Sequence, residues 1–329
     1  MTDSLRHRCE LFVGNRDILK KNFKLDTVHI LSLCAHLYAT NKAIADPVSI
    51  KAHRKEIRKR AGFMSNFGWV SLVALSSASA LDVESEKTLD RTFEIYEKLR
   101  RKVYSSCYLP LTSRILASLS DDDCELLCEK TVTIYNAIKK IYPRYRCGDD
   151  IVYAALLAVA KKDESDLLKS LAKCTEALSR TLSKPSLKQI SMIITVSSSD
   201  AELCCKRFIN LSRALGENSL SVDKNDKYTL SHIATLSTLK VPEEELIASL
   251  LEVYAYLKEQ KGFGVFFGRT QRLVYSILQL YGEYVPINTK KADDGIKEEV
   301  KNDIISVSAS VSTVICAEIA WALAAVSAI

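Results

Sequence analysis

The stretch Leu89-Asp90-Arg91-Thr92-Phe93-Glu94-Ile95-Tyr96-Glu97-Lys98-Leu99 decides the fold class. Its apolar residues Leu89, Phe93, Tyr96 and Leu99 stand at offsets of four, seven and ten, which is the spacing of one helix face. The same pattern returns at Cys128, Val132, Tyr135 and Ile138. It returns again, with weaker side chains in places, at Leu168, Ala172, Thr175 and Leu178, at Cys205, Ile209, Ser212 and Leu215, and at Ile247, Leu251, Tyr254 and Leu257. Recurrence at about forty residues predicts an internal repeat of helical units.

Ahead of each window lies a compact apolar run: 70–75, 109–119, 151–159, 190–196 and 230–239. Between run and window stands an acidic turn, at 82–86, 120–123, 163–166, 197–202 and 242–245. Ser and Asp cap exposed N–H groups, Pro242 suits a first helical position, and carboxylates there face the positive end of the helix dipole. Each repeat therefore reads as two helices. One such pair cannot bury both apolar faces by itself, whereas neighbouring pairs cover one another. The expected fold is all-α, stacked antiparallel helix pairs forming an α-solenoid-like array.

Length and composition agree. A chain of 329 residues with 47% hydrophobic and 26% charged residues, but only 10 Gly and 6 Pro, suits a helical protein and leaves little material for strand-and-turn architecture. The expected organisation is N-terminal helices at 1–62, a helical-repeat body at 63–285, a charged linker or loop at 286–303 and a small-residue apolar helix at 304–329. That last segment has Glu318 as its single ionisable residue and is long enough to span a bilayer, yet it is rich in serine. It reads first as a helix packed on the body and second as a membrane anchor. Residues 1–21 scatter charge without an apolar core, so no secretory signal is expected, and a cytoplasmic location follows. The ten cysteines are then reduced thiols. Cys128 and Cys205 occupy a core position of the repeat and read as small hydrophobes. Cys124 and Cys128 lie one turn apart, but no second pair completes a zinc set, so no metal or cofactor is expected. His29 and His36, in the apolar 28–38 segment, read as packing residues.

Several landmarks carry a resemblance: Gly62-Phe63-Met64-Ser65, Tyr108-Leu109 opening a helix, Asp149-Asp150 ahead of the Ala-rich 154–158 segment, and an Ala-rich carboxyl end. In that order and spacing the chain, from about Ile50 to Tyr284, resembles an uncharacterised bacterial family, domain of unknown function 4003 (DUF4003). The resemblance implies an all-helical fold and assigns no activity. Relatives tend to place His-Pro shortly before the acidic pair, whereas this chain has Tyr142-Pro143, so no chemistry through that imidazole is expected here.

Three segments could carry function. The loop from Tyr142 to Asp150 sets Arg144 and Arg146 beside Asp149 and Asp150, a combination able to bind a small anion or serve an enzyme. Its structural alternative is a helix break at Pro143 and a cap from the acidic pair. The glycine-rich 261–269 segment lacks the Lys-Ser/Thr ending of a phosphate loop and a preceding strand, and reads as a turn with buried Phe side chains. Two basic clusters stand out: Lys51, His53, Arg54, Lys55, Arg58, Lys59 and Arg60, and Lys98, Arg100, Arg101 and Lys102. Aromatic residues are not interleaved with these charges as nucleic-acid readers require, so both read as solvated helix faces. With five His in all and no nucleophile–base arrangement, the leading reading is a non-catalytic protein that binds a protein or peptide on the concave surface of the array.

Overall fold

The computed structural model describes residues 1–284 apart from 25, 63–65, 105, 121, 145–146, 161–163, 198–199 and 265–266. The expected linker at 286–303 and the helix at 304–329 lie outside the described residues. The fold is all-α. Fourteen helices run in chain order among the described residues: α1 (Asp3–Asn22), α2 (Val28–Thr40), α3 (Pro47–Ala61), α4 (Trp69–Leu81), α5 (Ser85–Lys102), α6 (Leu109–Leu119), α7 (Cys124–Ile141), α8 (Asp150–Val159), α9 (Glu164–Leu178), α10 (Lys184–Ser197), α11 (Ala201–Glu217), α12 (Lys227–Leu236), α13 (Glu243–Glu259) and α14 (Arg269–Tyr284). No described helix is long and apolar enough to cross a membrane.

The described chain forms two compact units. The first comprises 14–38 and 44–160; the second comprises 1–13, 39–43 and 164–284. In the first unit α4, α6 and α8 contact one another in order, as do α5 and α7. In the second unit α10, α12 and α14 form one such row and α9, α11 and α13 another.

Helices of the inner rows are buried nearly all round, as their unbroken apolar runs require. Every residue of Asp150–Val159 is buried, as are residues 186–196, 229–236 and 272–282. Several of their hydroxyls are satisfied inside the helix: Thr112 donates to the Tyr108 carbonyl (3.0 Å), Ser113 to Leu109 (2.8 Å) and Ser276 to Arg272 (2.8 Å). These side chains thereby enter the core without the cost of an unmade hydrogen bond, whereas the buried hydroxyls of Ser79 and Ser191 have no partner among the described residues.

Outer helices are amphipathic, and the same row is buried in each. The last residue of every sequence window, Leu99, Ile138, Leu178, Leu215 and Leu257, lies in it, and Leu89, Cys128 and Cys205 at the first position are buried as well. At the middle positions the row runs one residue earlier than the sequence pattern suggests. Thr92, Ile95 and Leu99 are buried in α5, Leu127, Thr131, Ile134 and Ile138 in α7, and Cys204, Phe208, Leu211 and Leu215 in α11. In α9 the row is Leu167, Leu171, Cys174 and Leu178, and in α13 it is Leu246, Leu250, Val253 and Leu257. Tyr135 and Tyr254, which belong to the sequence pattern, are half-buried on its flank, while Tyr96 is buried. An aliphatic side chain fits between two helices, whereas a tyrosine at the seam's edge buries its ring and keeps its hydroxyl near water.

The acidic turns do start helices. Asp123 accepts from the N–H groups of Glu125 (2.8 Å) and Leu126 (3.1 Å), and Asp200 from Leu203 (3.0 Å). Pro242 stands at the N-cap of α13, one residue before the first helical position. The tighter hairpins, however, join each outer helix to the inner helix that follows it: α5 packs more extensively on α6 than on α4, and α9 on α10. The acidic turns thus connect hairpins.

The glycine-rich segment is a turn. Phe263 and Phe267 are buried in it, and Gly262 and Gly268 take positive φ angles of 85° and 84°, which favour glycine. Buried Arg272 closes it, donating from Nε to the Phe263 carbonyl (2.9 Å) and from its terminal nitrogens to the Gly264 carbonyl (3.1 Å) and the Tyr254 hydroxyl (3.1 Å).

Candidate functional site

The loop singled out by the sequence joins α7 to α8. Tyr142 ends α7, its N–H bonded to the Ile138 carbonyl (2.9 Å), and its side chain is buried. Pro143 and Arg144 are exposed, and Arg144 makes no ion pair with the acidic residues. Arg146 lies outside the described residues. Asp149 and Asp150 are both buried at the start of α8, and the Asp150 carboxylate accepts the Cys147 N–H (3.1 Å), folding the loop back on the helix start. Space at Gly148 is tight, because a Cβ there would stand 3.0 Å from the Tyr108 ring and the ring would have to give way by a few tenths of an ångström. Asp150 therefore orders the turn, Asp149 stands at the N-cap of α8 without the side-chain cap bond expected of it, and Arg144 is not gathered with the pair.

A second site lies on the first basic cluster. α3 begins with Asp46, whose carboxylate accepts the Val48 N–H (2.9 Å), followed by Pro47 at a position where the missing N–H costs nothing. Ile50 and Ile57 anchor one face. Lys51, Arg54, Lys55 and Arg58, at offsets of three, four and seven, form a single stripe on another. Facing them, the chain leaves α1 through a turn in which the Asp26 N–H bonds the Phe23 carbonyl (3.1 Å). Between stripe and turn runs a groove of about 470 Å³ whose polar lining includes Lys24, Asp26, Lys51, Arg54, Lys55 and Arg58.

Charge in the groove is unbalanced. Arg54 grips Asp26 with both terminal nitrogens (2.9 and 3.3 Å), so the one carboxylate in the lining is spent on one guanidinium. Lys24, Lys51, Lys55 and Arg58 have no carboxylate partner among the described residues. Lys51 stands 5.6 Å over the ring of buried Phe23, which holds its stem along the groove wall.

The second basic cluster meets the opposite condition. Lys98 bonds Glu125 (2.9 Å) and approaches Glu94 (3.8 Å); Lys102 bonds Glu125 and approaches Glu129 (3.6 Å); Arg100 pairs with Glu97 (2.7 Å). Hydrogen bonds from Lys102 and Lys98 hold the Glu125 carboxyl down at about 2, and both ammonium groups are shifted upward in turn. Three of the four cations of this cluster are thus paired in a lattice, and Arg101 alone has no acidic partner among the described residues.

Burial disfavours the thiolate at several core cysteines. Burial pushes Cys9, Cys34 and Cys128 up to about 12, and Cys205 is raised by its hydrogen bond with Cys174 together with burial. Cys128 donates weakly to the Ile95 carbonyl (3.9 Å) from its place in the core. His36 is buried, and burial, with Arg16 nearby, lowers the pKa of His29.

The sequence landmarks and the all-helical fold agree with one comparison. A model of the family described as protein of unknown function (DUF4003) matches residues 15–307. The chain belongs to the DUF4003 family. Comparison with curated proteins and with solved structures gave no match. The matched span of this DUF4003 chain includes both the α7–α8 loop and the basic groove. Of the groove, sequence reading found the α3 stripe and missed Phe23, Lys24 and Asp26, which come from a turn whose nearness to α3 no local pattern announces.

Proposed function

We propose that this DUF4003 chain is a non-catalytic binding protein that takes a protein or peptide partner along the exposed faces of its helix rows. The observation that carries this reading is the recurrence of one buried row on α5, α7, α9, α11 and α13, because burying the same offsets on each helix leaves a matching succession of solvent-facing surfaces. The burial of Cys34 and Cys128, which raises their thiols, and the use of the Asp150 carboxylate in ordering the turn before α8 give it further support. A cytoplasmic setting accords with the same reading.

The test is retention from cell lysate on immobilised full-length chain, read by mass spectrometry. One polypeptide recovered in independent preparations and released by excess soluble chain is the expected result. Failure to retain any polypeptide above a bare-matrix control overturns the proposal.

A further inference from the structure

We infer that the groove between the α1–α2 turn and α3 is a binding site for a multiply charged phosphate group. The inference stands on the groove and is independent of the partner proposed above. A carboxylate or phosphate is drawn to cations that lack a counter-ion, because a cation already paired must first be separated from its partner. Lys24, Lys51, Lys55 and Arg58 meet this condition among the described residues, and Arg54, fixed by Asp26, adds a guanidinium of set orientation. Helix-end capping does not account for the stripe, since Lys51, Arg54 and Lys55 lie within α3 and away from its carbonyl end at Arg58–Ala61.

Shape and spread select the ligand class. At 1.5 Å per residue the stripe from Lys51 to Arg58 extends about 10 Å, too long for one carboxylate and suited to two or three linked phosphates. The volume of about 470 Å³ falls in the range of small-ligand sites and is concave, unlike a surface laid against duplex nucleic acid. A soluble phosphate ester and a phospholipid headgroup share this chemistry.

Titration calorimetry of the full chain with inorganic tripolyphosphate at low salt tests the site, alongside cosedimentation with phosphatidylcholine vesicles containing phosphatidylinositol bisphosphate, whose headgroup carries phosphomonoesters. Two variants with equal loss of charge are compared, Lys55→Gln with Arg58→Gln in the groove and Lys98→Gln with Lys102→Gln in the lattice, each checked for folding by circular dichroism. The groove variant is expected to weaken tripolyphosphate about tenfold or more, as loss of charge-assisted hydrogen bonds does, while the lattice variant changes it less than about twofold. Tripolyphosphate binding without vesicle binding assigns a soluble ester, and vesicle binding displaced by tripolyphosphate assigns a headgroup. The inference is overturned by no binding of either probe, by equal loss in the two variants, or by a hexaglutamate peptide binding as tightly as tripolyphosphate.

Discussion

Two basic clusters of the first unit, alike in the sequence, have become opposite things in the structure. On α5 the ammonium groups of Lys98 and Lys102 meet Glu125 of α7, and the surface there is electrically quiet. On α3 the stripe meets a turn that brings one carboxylate, Asp26, and that carboxylate is consumed by Arg54. Placement of acids on the neighbouring element, and not the number of Lys and Arg on the helix itself, separates a stabilising lattice from an open site. Exposed pairs such as those on α5 contribute little stability each. Their larger effect is to occupy Lys98, Arg100 and Lys102, so that of the four basic residues of this cluster only exposed Arg101 is left without an acidic partner among the described residues.

Removing Asp26 strikes the comparison hardest. Its side chain is 7% exposed and that of Arg54 19%, so Asp26→Ala strands a largely buried guanidinium. The expected cost is about 2 kcal/mol, the low side of what breaking a buried pair costs, because Arg54 also faces the open groove. Urea denaturation followed by circular dichroism measures it. The same variant raises the charge of the groove and should tighten tripolyphosphate several-fold; weaker binding in a folded Asp26→Ala protein would mean that Arg54 must be held by Asp26 to act.

Helix class and the acidic starts were legible because each rests on spacing along one helix or on cap chemistry within four residues of a turn, whereas α14 lies beyond the five helix pairs that the repeat predicts. The α6 bounds, Leu109–Leu119, coincide with the apolar run. What escaped is what two helices decide together. Ile134 and Tyr135 are adjacent and both apolar enough to be core, and only the approach of neighbouring helices puts Ile134 in the seam and Tyr135 on its flank. Hairpin phase escaped for the same reason, since an acidic turn starts a helix whichever neighbour that helix packs on. At the sites, the start of α8 at the acidic pair was visible in the sequence; that Asp149 stands at the N-cap without a side-chain cap bond, that Asp150 accepts instead from the loop N–H of Cys147, and that Arg144 lies apart were not. For the clusters, Glu125 lies 27 residues from Lys98, and Asp26 lies 28 from Arg54. No reading of a single charge run contains those distances.

If counter-ions alone separate the clusters, the lattice can be opened. Glu125→Gln combined with Glu129→Gln leaves Lys98 and Lys102 without their nearest partners across the helix pair, with Glu94 at 3.8 Å from Lys98 as the remaining carboxylate. A second tripolyphosphate should then bind, about tenfold more weakly than the first because no concave wall surrounds it. Calorimetric stoichiometry reads this directly. A stoichiometry that stays at one would mean that the α3 groove owes its selectivity to shape more than to bare charge.

The smallest effect is in acid. Lys102 and Lys98 depress the Glu125 carboxyl to about 2, against about 4.3 for a glutamate in an unfolded chain. A carboxyl whose pKa falls on folding contributes its full stability above the unfolded value and loses it as the pH drops through the folded one. Denaturation midpoints should therefore decline between about pH 4.3 and 2 by more in the native chain than in Glu125→Gln, the difference isolating this one group from other carboxylates. Because Glu125 is solvated, the difference is small and shrinks with added salt. The α3 groove supplies the contrast. Lys55 and Arg58 have no carboxylate partner among the described residues, so neutralising them should leave the acid profile of stability unchanged while weakening tripolyphosphate binding. A matching change in acid profile from the groove variant would show that its cations are paired after all, and the distinction between the two clusters would fall.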